Sequence, residues 1–335
     1  MNLLIKRYQT GQQLIGVLKY QFSILDIEKK ICVIHSQVND IHFNLATEEY
    51  LYEHHNLKYP TLFLWRNDKT IVIGRHQNPW KECFIQNMER DGIKLARRRT
   101  GGSAVYQDLG NSCFSFITPV YDNSNPLDSK NKNNIIIVNS LKNLGVDAQF
   151  TGRNDIVCQG RKISGSAYQV NLGKKDGSDR KALHHGTMLF NVNTESVKNY
   201  LNPNKEKLKS KGVDSVISRI LNLNEIKPDL NHDFFVQQLE IEFAKFYSSH
   251  QVISEKLDYE SLKQNQNINQ IFNEISSWDW LYGQTPKFTN NIETRFDWGI
   301  IDFYFQVENN IIKECKVYSD CLYADFISKM NRIFK

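Results

Sequence analysis

The sequence predicts an α/β (α+β) protein: a mixed β-sheet with packed helices over residues 32–230, followed by a small α+β domain. Two short apolar runs rich in β-branched residues, Thr61–Trp65 and Thr70–Gly74, flank a polar Asn-Asp turn, which is typical of a β-hairpin. Between His42 and His54 apolar residues recur at helical spacing, which indicates an amphipathic helix beside that sheet. These observations place the sheet and its first helix near the start of the chain.

The predicted first domain continues with short strands around a glycine-rich turn and with one further helix. The helix is expected to end at Gly145, because a glycine after the last apolar position is a common helix stop. In chain order we expect strands at Gly92–Ala96, Ser103–Tyr106 and Ser112–Ile117, a helix over residues 133–144, and strands at Asn154–Cys158 and Gly186–Val192.

A cluster of Asn, Lys and Pro residues at 222–232 predicts the boundary of a second domain. Beyond it we expect one amphipathic helix, two long strands joined by the turn Glu308-Asn309-Asn310, and a final helix. Their expected limits are Asp233–Tyr247, Phe296–Val307, Ile311–Tyr318 and Asp325–Phe334. The expected domains are therefore residues 32–225 and residues 232–335.

The composition is that of an ordinary globular protein, with 40% hydrophobic and 24% charged residues in a chain of 335 residues. No long apolar run is present, so the sequence predicts neither a transmembrane helix nor a membrane partner. A net charge of +5 would steer acidic partners but does not indicate nucleic acid. The six cysteines are scattered without a Cys-x-x-Cys pair, which favours free thiols over disulfides or structural zinc.

Residues 1–31 differ in composition from the rest of the chain. Lys6, Arg7 and Lys19 precede the first acidic residue, Asp26, and apolar residues are interspersed with Gln and Ser. Because no long apolar segment is present, this is more typical of an amphipathic mitochondrial transit peptide than of a secretory signal. The sequence predicts a mitochondrial protein, with an ordinary N-terminal extension of a cytoplasmic protein as the alternative.

A turn that carries Lys162 is the most informative stretch of the chain. It follows an apolar strand and leads into the small residues Ile-Ser-Gly-Ser-Ala around Gly165. Small residues let a backbone approach a ligand closely, and a lysine beside them brings a compact positive charge within reach of phosphate or carboxylate. The alternative is a solvated lysine on a surface turn.

A second motif lies at residues 95–111. It contains three arginines, Arg97–Arg99, followed after Thr100 by Gly101-Gly102-Ser103-Ala104. Glycines free backbone N–H groups to face an anion, and the planar arginine fork fits phosphate or carboxylate. The spacing matches neither a P-loop nor a dinucleotide fingerprint. The motif predicts an anion site or, alternatively, a basic surface turn.

Together the two motifs resemble the family of lipoate–protein ligases and lipoyltransferases. The resemblance is ordered from about residue 39 to residue 320, and it implies a large domain similar to the catalytic core of biotin–protein ligases and a small C-terminal domain. The other matching segments are Phe43–Glu49, Leu62–Asn67, Val72–Arg75, Gln77–Cys83, His184–Thr187, Tyr200–Pro203 and Trp278–Pro286.

The resemblance implies an ATP-dependent ligase that acts in two steps. Lipoate attacks the α-phosphate of ATP to give lipoyl-AMP and pyrophosphate, and a lysine of an acceptor protein then takes the lipoyl group and releases AMP. The implied acceptors are the lipoyl domains of 2-oxoacid dehydrogenase E2 subunits and the glycine cleavage H protein. ATP with Mg²⁺ and lipoate are the expected substrates, no permanently bound cofactor is expected, and the protein is expected to be a monomer.

The same resemblance implies the site residues. Lys162 is the expected catalytic residue, bridging the lipoate carboxylate and the α-phosphate. Asp155 is the candidate Mg²⁺ ligand, with an ion pair to an arginine as the alternative. The expected lipoate contacts are Lys162, Arg75, His76 and Gly102, with Val72 and Ile73 lining a tunnel for the acyl chain. The expected ATP contacts are Lys162, Arg98, Ser103, Ala104, Val105, Tyr106, Asn154 and Asp155.

Two positions depart from the family pattern. Ser103 replaces a usual glycine but keeps the site small, whereas Gln107 replaces a usual histidine and cannot titrate. The adjacent His184 and His185 face opposite sides of a strand, so they cannot readily hold one metal ion, and a structural role is expected for at least one.

The sequence leaves two other functions as alternatives to the ligase. A lipoyltransferase would use preformed lipoyl-nucleotide or a lipoylated donor protein, without efficient ATP activation. The predicted leader favours the lipoyltransferase. The C-terminus favours it too, because longer bacterial-type ligases have more helix after the point where this chain stops. A nucleic-acid-binding protein is disfavoured, because the arginines form one cluster rather than a stripe.

Overall fold

The computed structural model describes residues 30–54, 59–120, 126–152, 154–171, 173, 180–202, 219–248, 251–283, 290–308 and 311–334. The predicted leader therefore lies outside the described residues, apart from Lys30 and Ile31, which begin the first strand. The Asn309-Asn310 pair of the expected turn also lies outside them.

The first part of the chain contains ten strands and five helices among the described residues. In order, these elements are β1 Lys30–Ser36, α1 Ile41–Glu53, β2 Thr61–Trp65, β3 Thr70–Ile73, α2 Pro79–Glu82, α3 Ile85–Asp91, β4 Lys94–Arg97, β5 Val105–Gln107, β6 Asn111–Pro119, α4 Pro126–Asn143, β7 Ala148–Thr151, β8 Asp155–Cys158, β9 Arg161–Asn171, β10 Lys181–Leu189 and α5 Thr194–Tyr200. After a short 3₁₀ turn at Leu223–Glu225 come α6 His232–Phe246, β11 Gln251–Leu257, α7 Glu260–Gln264, α8 Gln266–Ile275, α9 Trp278–Leu281, β12 Asn290–Phe296, β13 Gly299–Glu308, β14 Ile311–Ser319 and α10 Ala324–Ile333.

Eight strands form a mixed sheet in the order β11-β1-β2-β6-β10-β9-β8-β7. Strand β1 is parallel to both of its neighbours, and β6 and β10 run antiparallel through the middle. Side chains alternate across β2: Leu62 and Leu64 pack with α4 and α6, whereas Phe63 and Trp65 pack with α1 and α8. The sheet is thus covered on both faces, and the predicted mixed sheet with packed helices is confirmed.

Two three-stranded sheets complete the fold. Strands β4-β3-β5 form one of them beside α1, and β12-β13-β14 form the antiparallel sheet near the C-terminus. The amphipathic helix α10 buries Ile327 against Ile301 and Val317 of that second sheet. This is the small C-terminal α+β unit that the sequence predicts.

The predicted hairpin between Thr61–Trp65 and Thr70–Gly74 is wrong, although both strands are present. Strand β2 pairs with β1 and β6, whereas β3 pairs with β4 and β5. Asn67 between them is fully buried, with its amide bonded to the side chains of Asn44 and Gln107. Because these long-range bonds hold the connection, the chain passes from one sheet to another instead of folding back.

Two further expectations differ from the structure near the C-terminus. The strand expected to begin at Phe296 begins instead at Gly299, because residues 297–298 form a turn after β12. The helix α6, expected in the second domain, packs with the large sheet, and so does the strand β11, which the sequence did not predict. The packing therefore continues across the boundary predicted at residues 222–232, and the domain limits stay a prediction.

Candidate active site

A cavity of about 360 Å³ lies between the large sheet, the β4-β3-β5 sheet and the C-terminal strands. It brings together the Lys162 motif and the glycine-rich motif, which are far apart in the sequence. The residues expected in the site that line it are Arg98, Gly102, Ser103, Ala104, Val105, Tyr106, Asn154, Asp155 and Lys162.

Lys162 lies in the cavity wall at a β-bulge between β8 and β9. The register of the two strands shifts between Ile156 and Val157, and such a bulge re-aims the side chains beside it. Lys162 Nζ is 2.8 Å from Asp155 Oδ1, and Arg219 pairs with the other oxygen of that carboxylate. The lysine ammonium is therefore held in a defined position while its side chain stays 22% exposed.

The absence of a side chain at Gly165 leaves room for the side chain of Lys162. A Cβ added at Gly165 would lie 2.4 Å from Lys162 Nζ and 2.7 Å from Lys162 Cε. The lysine therefore passes directly over the backbone of β9, where a larger residue would displace its tip. The small residues after the turn let a charge approach the backbone closely, and that charge is the lysine itself.

The Asp155 carboxylate is neutralised by Lys162 and Arg219, which is the ion-pair alternative raised for it. Asn154 Nδ2 donates to Ser166 O at 2.8 Å and so ties the start of β8 to β9. Within the described ranges, no group of three or more His, Cys, Asp or Glu side chains is placed to hold a metal ion. Because Mg²⁺ takes few carboxylates beside substrate oxygens, Asp155 as its ligand stays a prediction.

Arg98 borders the cavity, but backbone carbonyls occupy most of its guanidinium. Nη2 donates to Gly101 O at 2.8 Å and to Ser103 O at 2.9 Å, and Nη1 donates to Val72 O at 3.1 Å. Burial lowers the pKa of Arg98 from its usual 12.5 to about 10. Arg98 holds the shape of the glycine-rich loop, so this arrangement does not support the expectation that it binds phosphate.

The glycine-rich loop contacts the segment that follows β14. Gly102 N donates to Cys321 O at 3.2 Å, and Ser103 Oγ donates to Asp320 Oδ2 at 3.4 Å. A Cβ added at Gly101 would lie 2.0 Å from Cys321 O, so only glycine allows this approach. The Gly102 amide, which was expected to face an anion, here bonds to the C-terminal part of the chain.

Arg75 and His76 are not among the residues that line the cavity, so its geometry gives no support to the expectation that they contact lipoate. His76 Nε2 lies 3.0 Å from Ala324 O and from Ser328 Oγ, at the start of α10. Burial lowers the pKa of His76 from 6.5 to about 4, which keeps it neutral. The Arg75 guanidinium stacks on the Trp280 ring, so both side chains face away from the cavity.

The two adjacent histidines face opposite sides of β10, as the sequence predicts. His184 stacks on Phe116, and burial lowers its pKa from 6.5 to about 3, so its role is structural. His185 lines the cavity, with Nδ1 2.8 Å from Glu48 Oε2 and Nε2 2.7 Å from Thr100 Oγ1. Sequence reasoning missed this Glu48–His185–Thr100 network, because no spacing in the chain pairs these residues.

Apolar side chains form the rest of the cavity wall. Val72 lines it as expected, whereas Ile73 is fully buried in a separate cluster with Met88 and Tyr106. Gln107 also faces the cavity and accepts a hydrogen bond from the Asn67 amide. The other apolar lining residues include Leu45, Trp65, Ala167, Leu189 and Leu322.

The cysteine thiols lie in the protein interior. All six cysteines are free and buried. Cys158 is the one nearest to Lys162 in sequence, and burial raises its pKa. A thiolate nucleophile is therefore disfavoured at this site.

The fold and the cavity define an enzyme of the type that joins an activated carboxylate to an amine. Residues 40–244 match the model of the lipoyl protein ligase A/B catalytic domain. Residues 285–335 match the model of the bacterial lipoate protein ligase C-terminus. The chain belongs to the lipoate–protein ligase family.

Individual proteins agree with this assignment. Lipoate-protein ligase A of Psychrobacter cryohalolentis is 43% identical over 302 residues, which cover 89% of this chain and 86% of that protein. The crystal structure of P. falciparum LipL1 in complex with lipoate has a TM-score of 0.75 and 36% identity, covering 91% of this chain and 89% of that one. A lipoate-protein ligase A structure with bound ATP has a TM-score of 0.63 and 25% identity, covering 77% of this chain and 100% of that one.

A bipartite archaeal system is also similar. The lipoate protein ligase described with its E2 lipoyl domain from Thermoplasma acidophilum has a TM-score of 0.64 and 26% identity. The alignment covers 78% of this chain and 99% of that one.

Proposed function

We propose that this chain is an ATP-dependent lipoate–protein ligase that forms lipoyl-AMP and transfers the lipoyl group to a lysine of a lipoyl domain. The observation that carries the proposal is the Lys162 ammonium, held by Asp155 in a cavity that both sequence motifs line. The relatives named for lipoate ligation and the similar structures with lipoate or ATP support the same chemistry.

In the first half-reaction, a lipoate carboxylate oxygen attacks the α-phosphorus of ATP. A new P–O bond forms to the acyl group while the bond to pyrophosphate breaks. Two anions must meet, so a fixed positive charge between them lowers the barrier. Lys162 supplies that charge, and the Asp155 and Arg219 side chains hold it in place beforehand.

In the second half-reaction, the acceptor lysine amine attacks the acyl carbon, and AMP leaves with the electron pair of the broken C–O bond. Lys162 then stabilises the negative charge on AMP. The amine loses its proton to water as the amide bond forms. The apolar wall around Trp65 and Val72 limits water near the mixed anhydride.

Mg²⁺ is proposed to enter with ATP as part of the substrate. Such an ion keeps several waters and takes phosphate oxygens as ligands, so it does not depend on the Asp155 carboxylate, which is already paired with Lys162. The acyl chain of lipoate is proposed to lie along the apolar wall. Arg75 and His76 are not included among the proposed lipoate contacts, because they face α9 and α10.

Lipoyl domains of E2 subunits and the H protein are the proposed acceptors, and the protein is proposed to act as a monomer. A lipoyl-domain partner accompanies the archaeal ligase in the structure named above. The curated relatives are bacterial, so they give the mitochondrial expectation no support. In the part of the chain that the structure describes, no helix is long and apolar enough to cross a membrane.

The test is pyrophosphate release from ATP and lipoate without any acceptor. A ligase releases one burst of pyrophosphate per active site, since lipoyl-AMP stays bound, and an added lipoyl domain then becomes lipoylated. The control supplies synthetic lipoyl-AMP in place of ATP and lipoate. Transfer from lipoyl-AMP without any pyrophosphate burst would contradict the proposal and favour the lipoyltransferase.

A further inference from the structure

Trp280, in the one-turn helix α9, lies between two arginine guanidinium groups. The Cζ atoms of Arg75 and Arg99 lie 4.1 Å and 4.0 Å from its ring centroid. A cation over an aromatic face is an attractive contact, and it is strongest for tryptophan. Trp280 therefore joins two loops that approach it separately.

Hydrogen bonds between α9 and Arg97 fix the same contact. Trp280 Nε1 donates to Arg97 O at 2.9 Å. In the other direction, Arg97 Nε donates to Trp280 O at 2.9 Å and Nη2 donates to Leu281 O at 2.6 Å. The carbonyl groups at the end of α9 thus bind the guanidinium of Arg97, the first of the three consecutive arginines.

Arg97 and Arg99 connect this contact to the loop after β3 and to helices α1 and α8. Arg97 Nη1 donates to Gln77 O at 2.7 Å and to Arg75 O at 3.1 Å, so it also holds the loop after β3. On the opposite side, Arg99 is fixed by Glu49 and Glu274, each at 2.8 Å.

The two loops are tightly stacked where they meet. A Cβ added at Gly74 would lie 2.1 Å from Gly102 O. Gln77 on one loop and Gly102 and Ser103 on the other line the cavity, whereas Trp280 does not. A small shift of either loop would therefore change the shape of the cavity wall.

We propose that Trp280 is a positioning residue for lipoate adenylation: it aligns the loop after β3 with the glycine-rich loop through Arg75, Arg97 and Arg99. The inference rests on the proposed function and adds a residue outside the cavity to it. Its loss should weaken binding of ATP and lipoate in the activation step while the enzyme remains folded.

The experiment measures the acceptor-free pyrophosphate burst in wild type, Trp280→Leu and Trp280→Phe, with Trp278→Leu as the matched control. Trp278 is on the same helix but is 57% exposed and stacks only on Tyr282 among the ring contacts of the described residues. We expect Trp280→Leu to raise about tenfold the ATP concentration that gives half of the maximal burst rate, the KM of this single-turnover assay, at full burst amplitude. Trp280→Phe should recover most of this loss because its ring remains, and Trp278→Leu should stay within about twofold of wild type.

A merely structural role would reduce the burst amplitude, which counts active molecules, and leave the KM unchanged. That result would overturn the inference, as would a Trp280→Leu enzyme indistinguishable from wild type. If Trp280→Leu does not fold, Arg75→Met tests the inference instead, because it removes one of the two cations on the Trp280 ring. We expect this variant to raise the KM about threefold. An unchanged KM would overturn the inference. A wild-type enzyme without any burst would instead contradict the proposed function.

Discussion

The Lys162 turn and the Arg97–Arg99 run both carry positive charge, and Lys162 and Arg98 border the same cavity, but the two regions use their charge differently. Lys162 is paired with a carboxylate and keeps part of its side chain exposed. Arg97 and Arg98 donate to backbone carbonyls, and Arg99 is bound between Glu49 and Glu274.

This difference separates a charge that can act on a ligand from one that maintains the fold. An ammonium has three donors, so a partly exposed one can stay beside Asp155 and still contact a substrate oxygen. A buried guanidinium that bonds several carbonyls cannot turn without leaving those carbonyls unpaired. The cluster with the greater formal charge is therefore the framework, and the single lysine is the candidate catalytic group.

The largest effect is expected for Lys162→Ala. Removing a preorganised charge should slow adenylation about 10³-fold, or about 4 kcal/mol of transition-state stabilisation, with the protein still folded. Lys181→Ala is the matched control, because Lys181 is a half-buried lysine of the same sheet that pairs with Glu53 outside the cavity. The measurement is single-turnover pyrophosphate release; a Lys162→Ala enzyme within about tenfold of wild type would remove Lys162 from its role.

Arg98→Ala should act on stability. Loss of a buried cation that bonds three carbonyls should lower the free energy of unfolding by about 3 kcal/mol, measured by urea denaturation. Arg98→Lys should recover only part of this, since lysine cannot reproduce the planar fork. A stable Arg98→Lys protein with normal lipoate affinity but weakened ATP affinity would make Arg98 a ligand residue and break the comparison.

His184→Phe extends the comparison to the paired histidines. Burial lowers the pKa of His184 from 6.5 to about 3, so the unfolded chain takes up a proton well before the native protein does. Stability is therefore lost as the pH falls from 6.5 towards 3. Between pH 7 and pH 5 the wild type should lose about 2 kcal/mol of unfolding free energy that the variant does not lose. Equal losses in the two proteins would show that His184 is not the titrating group.

Gly165→Ala should have the smallest effect. It should slow the reaction without lowering the stability of the protein. Its Cβ would displace the Lys162 tip, and we expect adenylation to slow about tenfold with an unchanged melting temperature. An adenylation rate equal to that of wild type would mean that Lys162 has other positions from which it works equally well.

Much of the fold can be predicted from local patterns. The runs Thr61–Trp65 and Ser112–Ile117 form strands, and helix α1 begins and ends within one residue of its expected limits. That β2 and β3 belong to different sheets could not be predicted, because it depends on the buried side chain of Asn67 and on partners distant in the sequence.

In the candidate site, too, residues of one motif could be predicted, whereas contacts between distant parts of the chain could not. Lys162 and Asp155 could be identified because they lie in one motif. The Arg219 partner of Asp155 and the Glu48 partner of His185 could not, since each is brought in from another part of the chain. The carbonyl partners of Arg98 could not be predicted either, because a sequence shows its charge but not the backbone groups that surround it.

The most direct test is a crystal structure of the complex with a non-hydrolysable lipoyl-AMP analogue, in which a sulfamate replaces the phosphate. The account predicts that Lys162 Nζ lies about 3 Å from both the acyl oxygen and a sulfamate oxygen. Arg98 should keep its bonds to the Gly101, Val72 and Ser103 carbonyls. A complex in which Arg98 or Arg99 contacts the sulfamate while Lys162 remains bound only to Asp155 would contradict the account.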